Sequence, residues 1–201
     1  MKLLITCFFL WSCQLLVAQQ ELVLIDEQDN RFVYDIRYAT TNNFMETVLY
    51  DCQRCLLRPA VAEALKKAGT HFLEKGYRIQ IFDCYRPYSV QKAMWEKVPN
   101  AAYVANPYDK GSVHNRGAAI DLSLVRLDGS PVDMGTDYDF FGKEAHIDNT
   151  QLPESVLANR ALLIEGMKQF GFSPIRTEWW HFSFKQNYRY EILDQPLPCK
   201  E

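Results

Sequence analysis

Two short clusters constrain this chain of 201 residues more than any other feature of its sequence. The first, SVHNRGAAID at residues 112–121, opens one apolar segment, and the second, EWWH at residues 178–181, opens another. Together they supply His114, Asp121 and His181. Two histidines and a carboxylate are the nitrogen and oxygen donors that suit a catalytic zinc, which keeps a fourth position for water. Seven positions separate His114 from Asp121. They converge only if the loop through Arg116 and Gly117 bends back onto the strand, which a glycine permits. Glu178 stands three before His181, and where a strand begins after a loop both side chains can reach one site. It need not be a ligand. A free carboxylate beside a metal takes a proton from an attacking water and delivers it to a leaving amine, and zinc lowers the pKa of its bound water to about 7.

Any one of these residues in isolation is more often a surface or core residue than a ligand, and only the combination is specific. His71 and His146 have no comparable setting and read as structural. Trp179 and Trp180 alternate on a strand, so that one packs in the core while the other can wall a pocket. A third element, DCYRP at residues 83–87, ends another apolar strand. Pro87 pushes Arg86 toward extended geometry. Arg86 then either pairs with Asp83 or faces the metal, where its fork of donors can hold an oxyanion or a substrate carboxylate.

Charge excludes several partners. With 22 basic against 25 acidic residues and no basic run, the chain has no footprint for nucleic acid or an anionic membrane surface, and a small-molecule partner is expected. A chain of this length buries roughly 70% of its unfolded surface, so it folds without a staple. Residues 1–19 read as a signal peptide: Lys2, an apolar run, then Ala18 before two glutamines. Thr6, Ser12 and Gln14 interrupt that run, so the mature protein, from residue 20 to 201, is expected to lack a membrane span. The lesser alternative is a lipoprotein anchored through Cys13. The leader predicts an exported, periplasmic protein. It also removes Cys7 and Cys13, leaving Cys52, Cys55, Cys84 and Cys199 to form one or two disulfides in any of three full pairings. A zinc or thioredoxin role for Cys52 and Cys55 finds no second pair of metal-type spacing and no preceding strand.

Patterning predicts strands near residues 22–25 and 32–38, a helix from Pro59 until Gly76, a strand over 78–83 and a helix over 89–96. A strand over 118–127 follows, with a hairpin signal at Asp128-Gly129, then an aperiodic loop over 134–153 of the kind that is functional when ordered. A helix over 156–170 and a closing strand over 178–184 complete one α+β domain, with helices packed on a mostly antiparallel sheet.

The motifs SVHNRGAAID, EWWHF and DCYRP resemble the zinc D-alanyl-D-alanine dipeptidases, within the wider group of lysostaphin-like and hedgehog-like zinc peptidases. Residues 35–44 (DIRYATTNNF), 55–58 (CLLR) and 134–139 (MGTDYD) narrow the resemblance to the dipeptidases, and it covers about residues 21–190. It implies a hedgehog-like, D,D-peptidase-like fold and one zinc ion per subunit on His114, Asp121 and His181. It further implies Glu178 as general base and acid, and Arg86 stabilising the tetrahedral intermediate. Tyr38, Ser112 and Asp139 match family positions that hold the substrate's free amino group, and an ammonium is well met by one carboxylate and two hydroxyls. The implied substrate is D-alanyl-D-alanine. Because this chain carries a leader, recycling or scavenging of the dipeptide outside the cytoplasm is expected rather than resistance. Two alternatives stay open: a D,D-carboxypeptidase or murein endopeptidase acting on longer stems, and a non-catalytic zinc module that binds muropeptides. Oligomeric state is not legible.

Overall fold

The computed structural model describes residues 21–185 and 187–199, so the expected signal peptide and Cys13 lie outside the described residues. A five-stranded sheet in the order β2-β4-β5-β7-β6 organises the chain. Its strands are β2 (Phe32–Tyr34), β4 (Tyr77–Asp83), β5 (Ala119–Arg126), β6 (Phe172–Ile175) and β7 (Glu178–Phe184). Only β2 and β4 run parallel, and the remaining pairs are antiparallel. A separate two-stranded ladder joins β1 (Val23–Leu24) to β3 (Leu56–Leu57). The expected α+β domain on a mostly antiparallel sheet is what the chain forms.

Three helices form where periodicity placed them. Helix α1 (Pro59–Glu74) begins at a proline, whose missing N–H is no loss in a first turn. It turns Val61, Leu65, Ala68 and Phe72 into the core. Helix α2 (Tyr88–Lys97) follows Pro87, and α3 (Glu154–Gln169) follows Pro153. Helices α1 and α3 pack together, and Gly166 of α3 leaves the room that the Phe72 ring occupies. Strand β5 is buried along all but its last residue, as a central strand covered on both faces must be.

Two local expectations are corrected, and two short strands went unread. The extended run predicted over 32–38 ends at Tyr34, and Arg37–Ala39 forms a 3₁₀ turn. The Asn43 side chain closes that turn by donating to the carbonyls of Arg37, Thr40 and Thr47. The Asp128-Gly129 turn forms, but only a single bridge, Val125 to Pro131, follows it instead of a second strand. Strand β3 is too short to show a period, and β6 contains Pro174, which suits an edge strand and hides it from pattern reading. The aperiodic loop over 134–153 is ordered and holds the 3₁₀ turn Lys143–Ala145.

Candidate metal centre and active site

Strands β5 and β7 are hydrogen-bonded neighbours, and Asp121 stands directly opposite His181 in their register. His114 arrives from the 3₁₀ turn His114–Arg116, which Gly117 ends in the left-handed conformation at φ 64°. That is the predicted bend, and it returns the chain to β5 with His114 above Asp121. His114 Nε2 lies 3.2 Å from Asp121 Oδ1, His181 Nδ1 lies 2.9 Å from the same oxygen, and the two nitrogens are 3.1 Å apart. Donors bonded at about 2.0 Å to one tetrahedral metal stand about 3.3 Å apart. The triangle therefore fits a zinc-like ion with little movement.

The surroundings fit as well. Cys84 O can only accept, so His114 Nδ1 donates to it at 2.6 Å and leaves Nε2 bare toward the triangle. His181 Nε2 lies 3.0 Å from Ser183 Oγ, a hydroxyl able to accept its proton and so leave Nδ1 bare toward the triangle. Tyr138 donates to Asp121 Oδ2 at 3.0 Å, leaving Oδ1 for the ion. The Asp121 carboxyl is held far below the usual carboxylate range because the charge and hydrogen bonds of His114 and His181 outweigh its burial. Burial pulls the His114 imidazole down, but the Asp121 carboxylate more than compensates and raises it overall.

Strict alternation would turn Glu178 and His181, three residues apart, to opposite faces of β7. A register shift removes the conflict. Phe182 pairs with Pro174 while Glu178 pairs with the next residue, Ile175, so residues 179–181 arch out of the β6 ladder. Glu178, Trp180 and His181 all reach one cavity as a result. Burial pushes the Glu178 carboxyl up to about 8, and among the described residues no hydrogen bond engages it. Both tryptophans are buried: Trp179 bonds Thr136 Oγ1, and Trp180 walls the cavity.

Arg86 does both things the sequence allowed. Its Nε and Nη2 donate to Asp83 Oδ2 at 3.0 and 2.6 Å, and its Nη1 donates to Gln91 Oε1 at 2.9 Å. A guanidinium has five N–H bonds, so two remain, and Arg86 lines the cavity with Nη2 3.8 Å from Asp121 Oδ2. At the far side, the Tyr38 hydroxyl donates to Asp139 Oδ2 at 2.9 Å. Asp139 sits at φ 59°, a left-handed position that aspartate tolerates better than most residues. Burial, reinforced by the Asp121 charge, pushes its carboxyl up to about 8. Ser112 lines the same cavity, and its Oγ accepts from the His114 amide at 3.2 Å.

Every predicted site residue thus lines one cavity of 230 Å³, smaller than the roughly 300–1,000 Å³ typical of drug-sized ligands. Sequence reasoning gave no part to Tyr138 or Ser183. Ser183 was detectable, since it stands two positions beyond His181 on the same strand. His71 packs edge-on against Phe72 and Phe170, His146 meets Arg176, and neither lines the cavity. The cysteines pair as Cys52–Cys199 and Cys55–Cys84.

Such a donor triangle, open to a small cavity beside a free carboxylate, is the equipment of a metal-dependent hydrolase, and known proteins agree that the chain is a metallopeptidase. More particularly, it belongs to the M15 peptidases described as D-ala-D-ala dipeptidase, whose family model matches residues 18–200. A D-alanyl-D-alanine dipeptidase of Escherichia coli is 34% identical over 82% of this chain and 85% of its own length. One from Enterococcus faecalis is 31% identical over 88% and 93%, and one from Enterococcus faecium 30% identical over 87% and 92%. Solved structures of the LdcB LD-carboxypeptidase and the D,D-pentapeptidase VanY each align over 67% of this chain, and over 63% and 75% of their own. Their TM-scores are 0.45 and 0.43 at 19% and 14% identity, too distant to carry an inference.

Proposed function

We propose that the protein hydrolyses free D-alanyl-D-alanine to two D-alanines, with one zinc ion held by His114, Asp121 and His181. The observation that carries this reading is a single 230 Å³ cavity that joins the donor triangle and the free Glu178 carboxylate to the Tyr38–Asp139 pair. Bound at the triangle, zinc supplies a Lewis acid and makes a water acidic near neutral pH. Glu178 takes the proton of the attacking water and returns it to the leaving amine. Its raised proton affinity suits the second step, and a dication nearby favours the ionised form needed for the first. The two free N–H bonds of Arg86 stabilise the oxyanion of the tetrahedral intermediate. Asp139, Tyr38 and Ser112 hold the substrate ammonium. The clamp favours this reading over a carboxypeptidase or endopeptidase on longer stems, and the unpaired Glu178 favours it over a binding module.

The leader and the two disulfides support export to the periplasm, where the enzyme would recycle or scavenge wall-derived dipeptide. The test is D-alanine release from D-alanyl-D-alanine, N-acetyl-D-alanyl-D-alanine and a pentapeptide stem, before and after chelation and zinc readdition. Cleavage of the free dipeptide alone, abolished by chelation, is expected. Glu178→Ala should keep its zinc and lose turnover by ~10²–10⁴-fold, whereas His114→Ala should lose both. Cleavage of the blocked or longer substrates makes the protein a wall peptidase, and binding without cleavage makes it a module.

A further inference from the structure

Beyond the amine clamp lies a second cavity, of 420 Å³, on the outer side of the 134–153 loop. It shares two residues with the metal-site cavity, Phe44 and Asp139. Asp139 is already committed to Tyr38, so the Phe44 ring is the part of the wall between the two that a substitution can remove. That ring is braced on both sides. It meets Tyr38 edge-on at 6.2 Å and Phe141 at 5.2 Å, and Phe141 stacks on Tyr103 at 4.8 Å. Three loops are joined through one aromatic row.

The loop that carries Phe44 is itself fixed. Next to it, the Asn43 side chain donates to three carbonyls and accepts from the Met45 amide, and Lys97 Nζ donates to Met45 O at 2.7 Å. The wall is therefore built, not a chance position of a mobile ring. The outer cavity is polar: it carries the carboxylates of Glu46 and Asp137 and also the Arg37 guanidinium, whose Nη2 lies 3.4 Å from Asp137 Oδ1.

Resting on the dipeptidase reading above, we propose that Phe44, braced by Phe141, is the partition that limits the substrate to two residues. A third residue at the substrate's amino end adds about 3.5 Å of chain. It would have to pass where the Phe44 ring stands, and it would carry the ammonium away from Asp139. Without the ring the two cavities merge, and the displaced ammonium meets Glu46 instead, since Asp137 is already paired with Arg37. Exclusion by a wall of this kind discriminates by clash, without any added attraction for the correct substrate.

The test is the ratio of kcat/KM for D-alanyl-D-alanyl-D-alanine to that for D-alanyl-D-alanine, in the wild type and in Phe44→Ala. A rise of at least tenfold is expected, with a smaller rise in Phe141→Ala, which loosens the brace from outside the inner cavity. Calorimetric titration of both peptides into Glu178→Gln and Glu178→Gln/Phe44→Ala reads binding without turnover, and tripeptide binding should appear only in the double variant. An unchanged ratio, with dipeptide still cleaved, overturns the partition. So does a wild type that cuts the tripeptide as readily as the dipeptide. A wild type that cuts neither overturns the dipeptidase reading instead. If Phe44→Ala does not fold, Phe44→Val is read by the same ratio.

Discussion

At the scale of single residues, the site is an assembly of charges that burial has placed in tension. Asp139 and Glu178 are each pushed up to about 8, and His114 is raised above its ordinary value. In the metal-free folded protein these groups keep protons that the unfolded chain releases near pH 4 for the carboxyls and 6.5 for the histidine. A group whose pKa rises on folding contributes its stability below the unfolded value and loses it as pH climbs through the folded one. The metal-free protein is therefore expected to be more stable at pH 5 than at pH 8.5, read as the urea midpoint at each pH. Asp121 acts in the opposite sense, but only below about pH 4, outside that window. Zinc should reverse the trend, because its ligands bind deprotonated. Equal midpoints at the two pH values without metal would show that the carboxyls ionise freely in the fold.

At the scale of elements, two irregularities make the site: the left-handed turn at Gly117 and the arch of residues 179–181. A side chain at Gly117 would be strained by φ and would press on Leu22 and the Arg58 backbone. Gly117→Ala should lose about 1–2 kcal/mol of stability from the left-handed conformation alone. By moving His114 off the triangle it should also weaken zinc at least tenfold, measured by competition with a chelating dye. Unchanged zinc affinity would mean that the turn does not set the ligand's position. The turn was legible, because a spacing of seven positions between two ligands demands a reversal and a glycine lies within it. The arch was not, because it depends on β6, a four-residue edge strand interrupted by Pro174 that has no period of its own.

At the scale of the molecule, the chain's end is tied across the outside of the metal-site turn. Leu193 N donates to Asn115 O at 2.8 Å, Tyr85 Oη donates to Gln195 O at 2.9 Å, and Cys199 closes the path to Cys52 across 147 residues. Removing this bridge by Cys52→Ser with Cys199→Ser should lower stability by about 2–5 kcal/mol, since a closure of that length restricts the unfolded chain strongly. Urea unfolding measures it, and a loss under 1 kcal/mol would show that the tail's hydrogen bonds suffice alone. The second bridge, Cys55–Cys84, holds the residue whose carbonyl orients His114, so the cysteines brace the site as well as the fold.

Residue types and their order along the chain were enough to single out the three residues that the fold gathers into a triangle, Glu178, Arg86, the three helices and the long strands. Those properties are local: ligand chemistry belongs to individual side chains, and periodicity to short windows. Other features depend on separations that no window spans. The cysteine pairing needs Cys199 to return to Cys52. The outer support of the triangle needs Cys84, Tyr138 and Ser183 around it. The two uses of Arg86 need Asp83 and the cavity on different sides of one guanidinium. The wall at Phe44 needs three loops to meet. Only packing brings such groups within a few ångströms, because hydrogen bonds and ring contacts depend on distances in space that sequence separation does not specify.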